Sequence, residues 1–323
     1  MRLLDHVAQC AAPFTVLRES GEIVRLAGPS DYAQQVARCP LRYVLSDEVL
    51  RACIELAYSE GAGLAACLDL IHFPAEEMWV EWNAAAFREQ LDHMRPSFPS
   101  AVREDCRLHG VLVSSDARGR SGRVRTFWLT ASEPAQPMMA ATETFIDLSG
   151  DVPVAPPETL LDGGSVAVRD SLNSQIDSLL RCASFRLDDS WQRYYAAGAR
   201  TADARAEVLE RSLGTVAFIT PVLVALFLLI GLRSEIIQAP ISRDRVNAKR
   251  LRLGKRPLLS HIEVSCPVLA LEARREISGM PAALRTAPRL HHVRGHIVRR
   301  EDAVYWRRAH WRGHLRLGSV QSR

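Results

Sequence analysis

RLHGVLVSSDARGRSGRVRTFWLT, residues 107–130, holds two β-prone runs on either side of a polar stretch rich in glycine and arginine. Valine, leucine, phenylalanine, tryptophan and threonine suit a pleated, half-buried surface, whereas DARGRSG (116–122) suits a chain reversal. The pattern predicts an antiparallel hairpin. Downstream, Phe145–Leu148 adds a third strand, giving a meander over 107–148. Upstream, Trp79-Val-Glu-Trp82 reads as a short strand entered from a loop that starts at His72, and residues 84–94 return to helical spacing. Before that, in PLRYVLSDEVLRACIELAYSE (40–60), Ser46 is an N-cap, and Val49, Leu50, Cys53, Leu56 and Ala57 repeat at the spacing of one helix face. Gly61 and Gly63 punctuate the chain beyond this helix.

Residues 149–164, SGDVPVAPPETLLDGG, combine proline, glycine and acid and read as a linker or long loop. The expected fold class is α+β. A small mixed N-terminal domain with an antiparallel meander occupies 1–150, a linker 151–164, and a helical segment followed by a basic C-terminal β-hairpin module 165–323. Residues 166–212 look helical in pieces, with Trp191, Tyr194 and Tyr195 as packing residues. Asp188-Asp189 reads as a solvated turn rather than a metal site. VAFITPVLVALFLLIGL (216–232) sits at the short end for a membrane span. Pro221, Gly231 and Thr220 interrupt it and favour a buried central helix; the basic flank fits a positive-inside anchor, so both readings stand.

The chain has 323 residues, 47% of them hydrophobic and 24% charged, which is a globular composition and excludes the disordered and disulfide-scaffold classes. Seven scattered cysteines form no Cys-x-x-Cys pair and predict buried free thiols in a reducing compartment. Asp5 and His6 interrupt the place where a signal peptide would be continuously apolar, so no signal peptide is expected. No phosphate-loop, dinucleotide or nucleophile-elbow motif occurs, so neither a catalytic residue nor a cofactor is expected. The net charge of +4 hides an asymmetry: residues 243–323 carry 19 Lys+Arg against 6 Asp+Glu, and residues 1–242 carry 22 against 31. The basic end is suited to phosphates or to an acidic partner.

Within that end, Ser242 caps a short helix whose exposed face carries Arg245, Lys249, Arg250 and Arg252, with Gly254 as its stop and Pro257 beyond. His261–Val264 reads as a strand, and 273–288 as a charged loop. RLHHVRGHIVRREDAVYWRRAHWRGH (289–314) reads as a strand over Leu290–Arg299, a turn at Arg300–Asp302 and a return strand over Ala303–His310. Arg294, Arg299, Arg307 and Arg312 can neutralise phosphates while Trp306 and Trp311 stack on bases. A second reading makes His292, His296 and His310 metal ligands, although no ligand motif is present and flanking arginines disfavour a bound cation. A third makes the hairpin purely structural.

Val246-Asn-Ala-Lys-Arg-Leu-Arg-Leu-Gly-Lys-Arg-Pro-Leu258, together with His292-Val-Arg-Gly-His296 and His310-Trp-Arg-Gly313, resembles a group of uncharacterised proteins encoded by bacteriophages and prophages. The resemblance implies a phage or prophage gene product acting in the bacterial cytoplasm, with 216–232 buried in the fold. It carries over no catalytic residue. The expected function is a non-enzymatic accessory protein that binds DNA or RNA through 243–317. The alternatives are an adaptor or inhibitor of a host protein with an acidic surface, and a histidine-dependent metalloprotein or enzyme.

Overall fold

The computed structural model describes residues 1–18, 20–94, 104–150, 152–153, 157–167, 173–198, 218–232 and 236–266, and strands within 289–319. In those last strands the description covers the backbone and the side chains of Ile297, Val298, Arg299 and Val304.

Local signals place the first elements. α1 (Leu3–Ala8) and the β1–β2 hairpin (Phe14–Leu17, Ile23–Leu26) lead into α2 (Pro29–Arg38) and β3 (Leu41–Leu45). Ser46 Oγ accepts from Val49 N at 3.4 Å and starts α3 (Asp47–Ala65), which buries Val49, Leu50, Cys53, Ile54, Leu56 and Ala57. The helix kinks at Glu60 but runs past Gly61. That glycine marks a contact rather than a stop: a Cβ there would lie 2.2 Å from the carbonyl oxygen of Gln175, on α5 (Ser174–Leu180).

β4 (Glu77–Asn83) and α4 (Ala84–Met94) come next, then the meander of β5 (Cys106–Ser115), β6 (Ser121–Thr130) and β7 (Met138–Asp147). The hairpin of residues 107–130 pairs antiparallel from Cys106↔Thr130 to Ser115↔Gly122. The third strand is longer than expected and begins at Met138, because pairing with β6 overrides the weak β preference of MMAATE.

Strands from Leu41 to Ser265 join one nine-stranded sheet, while among the described residues β1 and β2 pair only with each other. With β8 (Val166–Ala167), β9 (Ala183–Leu187), β10 (Ile237–Ile241) and β11 (His261–Ser265), its order is β10-β11-β3-β4-β5-β6-β7-β9-β8. β11, β3 and β4 run parallel and the remaining pairings are antiparallel. Residues 151–164 therefore do not divide the sheet, and Leu160 and Leu161 within them join its core. The stretch 166–212, expected to be helical, also supplies β8 and β9. Helices and a large mixed sheet make the class α+β.

Alternation along β4 separates two layers. Met78, Val80 and Trp82 face the larger core with α3, α4 and α5, while Trp79 faces the smaller core with Leu3, Leu4, Val7 and Val36 of α1 and α2. Gly110 on β5 lets that smaller core close, since a Cβ would lie 2.6 Å from the Trp79 ring. The apolar run forms α7 (218–231), buried from Phe218 to Leu229, with Phe227 and Phe73 ring centroids 5.0 Å apart. A helix that is apolar all round belongs in a core. Among the described residues no helix is long and apolar enough to cross a membrane.

Asp188 is no solvated turn. It precedes α6 (Asp189–Gly198), accepts from Ser190 N at 3.0 Å, and pairs with Arg125 at 3.4 Å. Arg125 also meets Glu143 at 3.1 Å and stacks on Tyr32 at 4.5 Å. At the C-terminus, the stretch expected as one strand comprises β12 (Arg289–Val293) and β13 (His296–Arg300). The return stretch comprises β14 (Ala303–Arg307) and β15 (His310–Arg312), and β16 (His314–Ser319) comes last. β13 pairs with β14, and β12 with β15.

Candidate nucleic-acid interface

Between β10 and β11 the chain leaves the sheet as α8 (Asp244–Arg252), of which no residue is buried. Ser242 Oγ accepts from Asp244 N at 3.1 Å, one position earlier than a cap at Arg243 would. Asp244 in the first turn and Lys249, Arg250 and Arg252 in the last complement the helix dipole. The helix ends at Gly254, whose φ of 67° is the left-handed conformation that lets Lys255 N reach Arg250 O at 2.9 Å.

Asn247 fixes the returning chain from inside the helix. Its Nδ2 donates to Leu258 O at 2.8 Å, and its Oδ1 accepts from Leu258 N at 2.7 Å. α1 holds the same segment from below. Asp5 Oδ1 accepts from Leu259 N at 2.8 Å, Gln9 Nε2 donates to Pro257 O at 3.0 Å, and Arg256 donates to Gln9 O at 2.8 Å. The Asn, Gly-Lys-x-Pro-Leu pattern thus has a structural meaning: helix, left-handed turn, and a return strand locked to both.

The unit presents charge. From Arg245 to Arg256 there are six cationic residues and no acidic one. Arg245, Lys249, Arg252 and Lys255 are exposed and make no ion pair among the described residues. Arg250 differs, being half-buried and donating to Arg256 O at 2.8 Å. Arg245 and Lys249 are like charges one turn apart, which destabilises a helix, and a nine-residue helix is marginal alone. The Asn247 clamp and the α1 contacts offset these costs.

The C-terminal candidates are placed less uniformly. Arg299 grips Asp69 through both nitrogens, at 3.0 and 2.8 Å, and donates to Ala66 O. These bonds hold the Asp69 carboxyl below its ordinary range. Arg299 therefore docks β13 on the end of α3, beside Ile297 and Val304, which pack on the larger core. Trp306 and Arg307 lie on β14, and Trp311 and Arg312 on β15. In backbone register His292 stands opposite Trp311, and Val293 opposite His310, while His296 stands in the other ladder opposite Arg307. Arg294 lies outside the described residues, as do the side chains of those four residues and of the three histidines.

Protein-family models, curated proteins and solved structures give no match to this chain.

A second feature adjoins α8. A cleft of about 830 Å³ lies at the carboxyl ends of β3 and β4, lined among others by Asp5, Leu45, Glu81, Trp82, Arg107 and Arg243. Glu81 is wholly buried; its Oε2 accepts from Leu4 N at 2.9 Å and Trp79 Nε1 at 3.1 Å, and its Oε1 has no partner among the described residues. Burial pushes its carboxyl up to about 7, against the pull of those two hydrogen bonds and of Arg2. Sequence reasoning missed Glu81 by treating Trp79–Trp82 as strand residues only. The available signal was a carboxylate between two tryptophans in an apolar strand.

Proposed function

We propose that this protein is a phage- or prophage-type accessory protein that binds nucleic acid through its basic C-terminal segment, with α8 and its turn as an anchored part of the surface. The single observation that carries the reading is that exposed cations with no ion pair among the described residues sit on a helix fixed by Asn247 and α1. Natural helices of this length ordinarily gain stability from a buried face. This one has none and still holds like charges together, so its stability is spent on presenting them. Lysine and arginine at that spacing suit a phosphate backbone, where each neutralised phosphate releases counterions. Arg299 enters the reading as a docking residue that positions the C-terminal strands. The resemblance to phage-encoded proteins supports action within a bacterial cytoplasm.

The test is fluorescence anisotropy with a 30-mer duplex and a single-stranded 30-mer, DNA and RNA, at low salt. Binding that weakens steeply as salt rises is expected. Absence of binding to all four probes contradicts the proposal.

A further inference from the structure

The cleft at the ends of β3 and β4 opens beside Arg243, at the root of α8, yet its inner wall carries acid. Its position, at the carboxyl ends of parallel strands, is where open α/β sheets bind ligands. Its volume of about 830 Å³ lies within the span of small-molecule pockets. Glu81 contributes a buried oxygen with no hydrogen-bond partner among the described residues. A buried acceptor left unsatisfied is costly, and a ligand N–H would remove the cost. The mouth carries both signs, with arginines beside the carboxylates of Asp47, Glu104 and Asp105. Arg107 begins the β5 side and Arg243 stands on the β10–β11 side, and neither guanidinium has a carboxylate partner among the described residues. β4, which carries Glu81, and β10, which leads into Arg243, are three strand spacings apart in the sheet order, roughly 14 Å. The cleft therefore suits an elongated ligand with an N–H donor at one end and an anion at the other.

We propose that this cleft binds a nucleotide, the amino or imino edge of the base donating to Glu81 and the phosphate held at the rim by Arg243. Carboxylates accept from the exocyclic amino group of cytosine in the same way. The cleft is independent of the polyanion surface of α8. The nucleotide has two sources, a free mononucleotide or the end of a strand carried by α8.

Isothermal titration calorimetry of the full chain with GMP, CMP and inorganic phosphate tests it. One-site binding of GMP or CMP is expected, at least 100-fold tighter than phosphate. Arg243→Ala and Glu81→Gln should each weaken it 10-fold or more. Where Glu81→Gln fails to fold by circular dichroism, Arg243→Ala and Arg107→Ala carry the test. No binding of either nucleotide at 5 mM, phosphate binding as tightly, or variants that bind like wild type would each overturn the proposal. Displacement of the bound nucleotide by a 5′-phosphorylated decamer assigns the site to strand ends. Failure of the decamer to compete assigns it to free nucleotide. Polynucleotide binding that persists without mononucleotide binding overturns the cleft and leaves the reading of α8 standing.

Discussion

Glu81, wholly buried, and His109, half-buried with its Nδ1 sealed from solvent, are titratable side chains with opposite pH signatures. Burial raises Glu81 from its ordinary 4.5 to about 7, so between those values the folded chain binds more protons than the unfolded one. Its contribution to stability falls as pH rises through that window, by roughly 3 kcal/mol in all. His109 sits against Trp82, Phe87 and Trp128, and burial lowers it from 6.5 to about 4. There the unfolded chain binds more protons, and stability falls as pH drops through the window, again by roughly 3 kcal/mol. Over pH 4.5–6.5 the two nearly cancel. Urea denaturation should therefore show Glu81→Gln gaining stability on wild type as pH rises from 4.5 to 7, and His109→Phe gaining as pH falls from 6.5 to 4. Curves parallel to wild type in both variants would contradict these environments. Neither environment was legible in sequence: the Leu4 amide that donates to Glu81 lies 77 residues away.

At the scale of elements, sequence signals were most legible where they were local. The Ser46 cap, the 107–130 hairpin and the Gly254 stop need only neighbouring residues to explain them. The run at 216–232 was ambiguous because an apolar run suits a lipid or a protein interior equally. Packing decides: Val222, Leu223, Val224, Ala225 and Leu226 of α7 are all fully buried in the larger core. Leu226→Ala should cost about 2–5 kcal/mol in chemical denaturation; a cost under about 0.5 kcal/mol, as at an exposed site, would contradict that burial. α8 makes the complementary prediction. Asn247→Ala removes both bonds to the Leu258 backbone and should destabilise the turn by about 1–3 kcal/mol. Hydrogen exchange should quicken at the Leu258 amide while β3–β7 amides keep their protection. Uniform loss of protection would mean that the clamp supports the whole fold rather than the turn.

For the whole molecule, pairing partners were the illegible part. β11 lies parallel to β3 with Ile262 opposite Tyr43, and β9 pairs with β7 across a stretch that reads as a linker. Period-two patterns announce a strand but not its neighbour. A long proline- and glycine-rich connection looks the same inside a sheet as between domains. Charge segregation, in contrast, was readable directly. The structure sharpens it by placing the run from Arg245 to Arg256 on an anchored, exposed helix and the turn that follows it, and by giving Arg299 to Asp69. The most direct measurement of the account is the slope of log binding constant against log salt concentration for a DNA duplex, wild type beside Lys249→Ala/Arg252→Ala. The account predicts a steep wild-type slope that the double variant reduces by about 2, one unit per lost phosphate contact. An unchanged slope would contradict it and remove α8 from the binding surface.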